Sequence, residues 1–328
     1  LVSPATTPYY HCISRCVRRA LLCGEDPVTG RDYAHRKAWV VERLATLVEV
    51  FAIDLVAYAV MANHYHLVLR IDASSAEAWS EAEVMERWGT VFKVPESVLR
   101  YARGEVTTRA EQQAAQALIA HWRDRLMDLS WFMRALNEHL ARRANAEDEC
   151  TGRFWEGRFT SQALLDEAAV LACMAYVDLN PVRAGVAETP EAADYTSIQQ
   201  RAQDTEAGEP EAGAPPIRPA LMPLVASPEA AEPDSLGLSR ADYLELVDWT
   251  GRAVRADKPG AIPAAAPPIL ARLGLDPSGF VRHAAGRSGP RPPVVLGSIA
   301  RIRQAAEAAG RRFFKGLGLA QRLYAAAA

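Results

Sequence analysis

The sequence predicts an α+β fold: one ferredoxin-like antiparallel sheet carrying helices, with a helical insertion and a small helical C-terminal appendage. Three observations predict it. Residues 9–16 alternate as a half-buried strand does, with His11 and Ile13 on one face and Cys12, Ser14 and Cys16 on the other. Residues 36–51 set Trp39, Val40, Leu44, Leu47, Val48 and Phe51 along one helical stripe. Residues 53–60 and 64–71 are apolar runs separated by the short break Met61-Ala62-Asn63, a strand pair. Strand, helix, strand, strand opens a ferredoxin-like layer.

The later elements follow from similar signals. Residues 76–88 read as a helix within a mostly helical stretch spanning 74–128, where Trp79, Trp88 and Trp122 serve local packing. Residues 129–145 form an amphipathic helix, with Phe132, Leu136 and Leu140 at four-residue steps and Arg134, Arg142 and Arg143 as its basic residues. Phe154 through Leu165 alternates as a strand, and Asp166 can cap a helix over 167–179. Pro181 should end that helix, because it cannot extend the backbone ladder. Pro, Ala, Gly and Glu dominate 199–236, a linker composition. Helices over 239–256, 267–274 and 277–285 and an Arg-rich helical segment over 298–326 follow. The expected organisation is a domain at 1–198, a linker at 199–236 and a basic helical region at 237–328.

Composition narrows the function classes. A hydrophobic content of 49% with 23% charged residues excludes a disordered chain and fits an ordinary globular one. No apolar run reaches the roughly 18 residues that cross a bilayer, and no charged segment leads into an apolar block near residue 1, so a cytoplasmic chain is expected. The five cysteines include no Cys-x-x-Cys pair and read as reduced thiols. Absence of a Gly-x-x-x-x-Gly-Lys loop argues against a nucleotide cofactor. The net charge of −3 does not advertise a nucleic-acid binder, but its distribution is uneven. Residues 1–198 hold 21 Lys and Arg against 27 Asp and Glu, whereas residues 270–328 hold 10 against 2. Phosphate-tracking surfaces are therefore expected in the tail and at local Arg clusters.

Two pairs of residues carry chemistry. His64 and His66 stand two apart at the start of a strand, so both imidazoles project from one face roughly 6–7 Å apart. Two neutral imidazoles aimed at one point make half of a metal site. Tyr176 and Asn180 are four apart on a predicted helix and share a face at roughly 5–6 Å. Arg15, Arg18 and Arg19 close the first strand, where phosphate contact and a solvated edge are even alternatives. In the strand after the amphipathic helix, Arg158 beside Trp155 can hold a phosphate and stack an unpaired base, or form core and rim.

Four segments of the chain, Tyr9-Tyr10-His11-Cys12-Ile13-Ser14-Arg15, Met61-Ala62-Asn63-His64-Tyr65-His66, Gly152 to Phe159 and Tyr176 to Ala184, occur in an order and spacing that resemble the REP-associated tyrosine transposases. These are a branch of the single-tyrosine HUH endonucleases, and the resemblance covers most of residues 8–200. It implies the HUH endonuclease fold, Tyr176 as nucleophile, and His64 and His66 as ligands of Mg²⁺ or Mn²⁺. It makes Asn180 the choice for third ligand, since related enzymes use a polar side chain on the tyrosine's own helix, with Glu156 and Gln162 as rivals. The implied substrate is single-stranded DNA with a palindromic hairpin, cut through a covalent 5′-phosphotyrosine, and the expected DNA contacts are Arg15, Arg18, Arg153, Trp155, Arg158 and Arg183. One departure is Tyr65 between the histidines, where the superfamily prefers a bulky hydrophobe; alternation turns it toward the core. Two other readings stay open: a zinc hydrolase using His64 and His66 with His11 as third ligand, and a hairpin-DNA binder without catalysis. All the segments lie in one chain, so a monomer is expected and a swapped dimer is allowed.

Overall fold

The sheet is built by alternation. In β1 (Tyr9–Arg15) Tyr10, Cys12 and Ser14 are buried on one face while His11 points to the other. The computed structural model describes residues 3, 6–17, 21–26, 28–206, 217–225, 236–254, 267–287 and 292–325. After β1 come α1 (Arg36–Val50), β2 (Ile53–Val60) and β3 (His64–Ile71). A helical run follows: α2 (Ala73–Ala78), α3 (Glu81–Val91), α4 (Glu96–Ala102), α5 (Arg109–Leu126) and α6 (Leu129–Glu147), leading to β4 (Thr160–Leu164). Then come α7 (Glu167–Asp178), α8 (Asn180–Arg183), α9 (Ser197–Glu206), β5 (Leu224–Val225), β6 (Leu236–Ser239) and α10 (Arg240–Val254). The described chain ends with α11 (Pro268–Arg272), α12 (Pro277–Ala284), β7 (Val295–Leu296), α13 (Ile299–Ala308) and α14 (Leu317–Leu323).

The main sheet has the order β2-β3-β1-β4-β7. Its first four strands are antiparallel neighbours, with His11 opposite both Val68 of β3 and Gln162 of β4, and Arg15 opposite His64. Helix α1 links β1 to β2 and α6 precedes β4, and both pack on the same face. This is the ferredoxin-like arrangement, and the fold is α+β as expected. Val40, Leu44 and Leu47 of α1 and Phe132, Leu136 and Leu140 of α6 meet Tyr10, Cys12, Tyr65, Leu67 and Leu69 there. The insertion helices extend this core outward: Trp88 and Trp122 stack with ring centroids 5.2 Å apart and join Val84, Val98 and Ile119. Ser80, Thr108 and Asp128 cap α3, α5 and α6 by accepting from backbone N–H groups.

Helix α7 covers the other face, against Val56, Ala57, Ala59, Val68 and Leu164. It is apolar nearly all round because the sheet lies on one side and the C-terminal helices on the other. Asp166 caps it at the Ala169 N–H and also accepts from the Ser298 N–H and the Tyr324 hydroxyl. At its far end the buried Asp178 carboxylate accepts from Ser197 Oγ, the Ile198 N–H and the Tyr243 hydroxyl.

Several expectations change. β7 joins β4 in parallel, so the sheet is mixed, and the C-terminal region is woven into it rather than appended. Helix α9 runs where composition read as a linker, held because Ser197 and Ile198 bond Asp178 and Arg201 donates to the Val56 and Met222 carbonyls. The helix expected over 76–88 is two, broken at Trp79, with Ser80 capping the second. The strand expected from Phe154 starts at Thr160: Trp155 makes a single bridge to Cys16, and the Glu156 N–H bonds the Arg15 carbonyl as the chain turns away. Pro181 does not simply end α7; it sits in the first turn of α8, where a missing N–H costs nothing.

Candidate active site

Three histidines leave the sheet toward α7. His11 comes from β1, and His64 and His66 from β3, because residues two apart on a strand share a face. His66 is buried; its ring centroid lies 4.9 Å from that of His64 and 5.1 Å from that of His11. The His66 Nδ1 is 2.9 Å from His11 Nε2, and His11 Nδ1 is 3.4 Å from Gln162 Oε1. Gln162 in turn donates from Nε2 to the Pro293 carbonyl at 2.8 Å. The His64 Nδ1 is 2.6 Å from Asn63 Oδ1. In both β3 histidines Nδ1 is engaged and Nε2 is the nitrogen left to bind something else, an arrangement that fixes tautomer and ring direction.

Tyr176, half-buried on α7, closes the cluster. Its ring centroid is 5.7 Å from that of His66 and 5.9 Å from that of His11, both edge-on, although more than a hundred residues separate His66 from Tyr176 in the chain. The Arg183 guanidinium carbon lies 4.3 Å from the same ring centroid. A fourth imidazole, His283 of α12, packs on Tyr176 at 5.6 Å. Asn180 is buried at the start of α8, and among the described residues its Nδ2 has no hydrogen-bond partner. A buried carboxamide left incomplete costs about 1–3 kcal/mol unless a ligand or water completes it.

Electrostatics keep the imidazoles neutral. Desolvation lowers His11, His64 and His283 from 6.5 to about 4, and the positive charges of Arg15 and Arg183 add to the effect at His64. His66 falls well below its ordinary value, through desolvation first and then the neighbouring histidines and the two arginines. Neutral imidazoles under two guanidinium groups suit binding of a cation by ring nitrogens and of an anion by the arginines.

The remaining expected residues lie as follows. Arg15 is exposed at the end of β1, opposite His64. Arg18 lies outside the described residues. Arg153 and Arg158 are exposed and, with Arg134 and Phe159, line a groove of about 770 Å³ beside α6. Trp155 shows only an edge to that groove; its ring packs on Tyr65 and its indole N–H donates to the Asn137 carbonyl at 2.8 Å. Glu156 is exposed, and the Gln162 carboxamide is engaged between His11 and Pro293, so of the two amides Asn180 is the one left incompletely bonded among the described residues. Tyr65 points to the opposite face, where its hydroxyl donates to Asn137 Oδ1 at 2.7 Å. Among the described residues no three His, Cys, Asp or Glu side chains form a group that could hold a metal. Both ring nitrogens of His11 face hydrogen-bond partners, Nε2 toward His66 and Nδ1 toward Gln162. Sequence reasoning missed His283; its helix was legible, but nothing in its spacing tied it to residues a hundred positions earlier.

No protein-family model matches the chain, and no curated protein does. Among solved structures, one described as the REP-associated tyrosine transposase bound to a REP hairpin covers 66% of this chain and 94% of its own, with a TM-score of 0.34 and 8% identity. That is a weak likeness of fold and nothing finer. Among the described residues no helix is long and apolar enough to cross a membrane.

Proposed function

We propose that this chain is a metal-dependent endonuclease and strand transferase that cuts single-stranded DNA beside palindromic hairpins, with Tyr176 as the nucleophile. One observation carries the reading: the Tyr176 ring lies 5.7 Å from His66 inside a cluster of neutral imidazoles flanked by Arg15 and Arg183. A packed core has no use for that combination, whereas transfer of a phosphoryl group to a phenol needs each part. The four segments that resemble REP-associated tyrosine transposases supply the substrate class.

His64 and His66, through Nε2, and Asn180, through its carboxamide oxygen, would hold Mg²⁺ or Mn²⁺, since imidazole plus amide oxygen fits either ion. The Asn180 Nδ2, unpartnered among the described residues, is a donor and would suit a phosphate oxygen. Such an ion supplies charge neutralisation and polarisation at a phosphoryl oxygen. The chain's own residues do the rest. His11 and Asn63 fix the two ligand rings. Arg183 and Arg15 offer N–H donors to the scissile phosphate. The Tyr176 oxygen attacks phosphorus, the bond to the 3′-oxygen breaks, the phenol proton passes to solvent and the departing oxygen takes one up. A 5′-phosphotyrosine and a free 3′-hydroxyl result, and the hydroxyl can attack back, so no nucleotide cofactor is required. Arg153 and Arg158, with Arg18, would track the phosphates of the flanking strand.

On this reading residues 1–198 hold the nucleophile and ion ligands, 199–236 leads on from α9, and 237–328 adds the basic helices together with the strand β7. One chain suffices, so the working form is a monomer in the cytoplasm. The test is incubation of the full chain with a single-stranded palindromic oligonucleotide and Mn²⁺, followed by denaturing electrophoresis. A protein–DNA band that resists denaturation and vanishes in Tyr176→Phe is expected. Cleavage that survives Tyr176→Phe would mean a hydrolase, and tight hairpin binding with no adduct would mean a binder.

A further inference from the structure

The C-terminal end of α12 closes around two side chains of the site. The His283 ring packs on Tyr176 at 5.6 Å, the planes 35° apart. The next residue, Ala284, accepts a hydrogen bond through its carbonyl from Arg183 Nη1 at 2.9 Å. Gly286 follows with φ +70°, and a Cβ there would lie 3.2 Å from Arg183 Cδ and Nε. Arg183 itself covers the Tyr176 ring at 4.3 Å. Residues 283–286 thus touch the phenol ring once directly and again through the guanidinium that lies over it.

Each contact has a physical cause. The last carbonyls of a helix lack intrahelical partners, and the negative end of its dipole attracts a guanidinium. Gly286 ends α12 in the left-handed conformation, its N–H bonded to the His283 carbonyl at 2.9 Å, which a side-chain-bearing residue adopts at a cost. The same glycine leaves room for the Arg183 side chain. Simple cover comes from Phe280, buried among the apolar residues on this face of the sheet. The end of the helix instead presents an imidazole, a carbonyl and a glycine, all three against Tyr176 or Arg183.

We propose that residues 283–286 are a positioning device for the nucleophile: they hold Arg183 across the face of Tyr176 and, with His283, restrict the directions in which the phenol can swing. The consequence for rate rests on the reading of Tyr176 as nucleophile; the restraint on the ring does not. His283 and Gly286 are positioning residues, acting through Tyr176 and Arg183.

Three variants of the full chain test this: Gly286→Ala, His283→Ala and His283→Phe, the last keeping a ring in place. The first readout needs neither DNA nor metal: the rate at which Tyr176 is iodinated, followed by peptide mass spectrometry. The second is the initial rate of adduct formation with saturating palindromic oligonucleotide and Mn²⁺, and thermal melting reports the folded fraction. Gly286→Ala and His283→Ala should iodinate Tyr176 at least about threefold faster and form adduct about tenfold more slowly, with half-saturating oligonucleotide changed by less than about twofold. His283→Phe should recover most of both losses. Iodination unchanged in both small-residue variants, or rates that fall only with the folded fraction, would overturn the proposal. A native chain that forms no adduct removes the nuclease reading and leaves iodination to decide whether these residues restrain the ring.

Discussion

Tyr65, Leu67 and Leu69 leave β3 toward α1 and α6, whereas His64, His66 and Val68 leave the same strand toward α7. The first set sits in a continuous apolar core, and its one polar atom, the Tyr65 hydroxyl, is bonded to Asn137. The second set belongs to a face where four imidazoles are held below their ordinary pKa and a buried carboxamide is incompletely bonded. One face maximises burial; the other keeps polar groups desolvated that a stable core would not choose. Such groups cost stability and are retained where a site uses them. The comparison separates sharply under substitution: one face should lose chemistry while keeping the fold, and the other the reverse.

The largest effect belongs to the polar face. Tyr176→Phe should abolish covalent adduct, and His66→Ala should lower its rate by at least about a hundredfold, while melting temperatures stay near the native value. An adduct in Tyr176→Phe, detected on a denaturing gel, would move the nucleophile elsewhere. On the apolar face, Leu67→Ala removes a fully buried side chain and should destabilise the fold by about 2–5 kcal/mol in denaturant titration. Adduct formation per folded molecule should be unchanged.

Acid should act through the polar face too. Between pH 6.5 and 4 the unfolded chain takes up protons that His11, His64 and His283, lowered to about 4, refuse in the folded state. Stability is therefore full above 6.5 and is lost as pH falls through that window. Asp178 works the other way: burial raises it from 3.8 to about 6, so it contributes stability at low pH that is lost as pH rises through that interval. With His66, which desolvation also lowers, four histidines outweigh one carboxyl, and the metal-free chain should melt at least about 5 °C lower at pH 4.5 than at pH 7. A melting temperature that is flat or rises toward acid would mean the imidazoles are not desolvated. Smaller again, Arg153→Ala and Arg158→Ala should each weaken oligonucleotide binding and reduce the log–log salt slope by about 0.7. Mutation of either with no change in slope would take the groove beside α6 off the path of the DNA.

How much of this was legible depends on range. Alternation over 9–16 and 64–71 and the helical stripe over 36–51 are local, so β1, β3 and α1 fall within a residue or so of expectation. The His64 and His66 pair was visible for the same reason: strand geometry alone puts both on one face. The meeting of that pair with Tyr176 needs contacts across more than a hundred residues, and only the order of the four segments hinted at it. His283 and β7 were illegible. Nothing in the local pattern of Val295–Leu296 says that it will extend β4, and a histidine in a short helix carries no address. Composition misled at 199–206, where the bonds of Ser197 and Ile198 to Asp178 anchor the start of the helix and Arg201 donates to the Val56 and Met222 carbonyls, which outweighs a sequence poor in apolar residues.

The smallest effect sharpens the comparison most, because it tests whether the faces are independent. The Tyr65 hydroxyl donates to Asn137 Oδ1, and Asn137 Nδ2 donates to Ser14 Oγ at 2.9 Å, so one side chain of α6 ties β3 to β1. Tyr65→Phe keeps the edge-on packing against Trp155 and removes only the hydroxyl, leaving Asn137 one donor short. The expected cost is about 1 kcal/mol in denaturant titration. Tyr65 lies between the two histidines in sequence, yet its hydroxyl is on the far side of the sheet, so adduct rate and metal dependence should not move. A rate change there with the fold intact would show that the Asn137 network sets the tilt of β3, and with it the direction of both imidazoles.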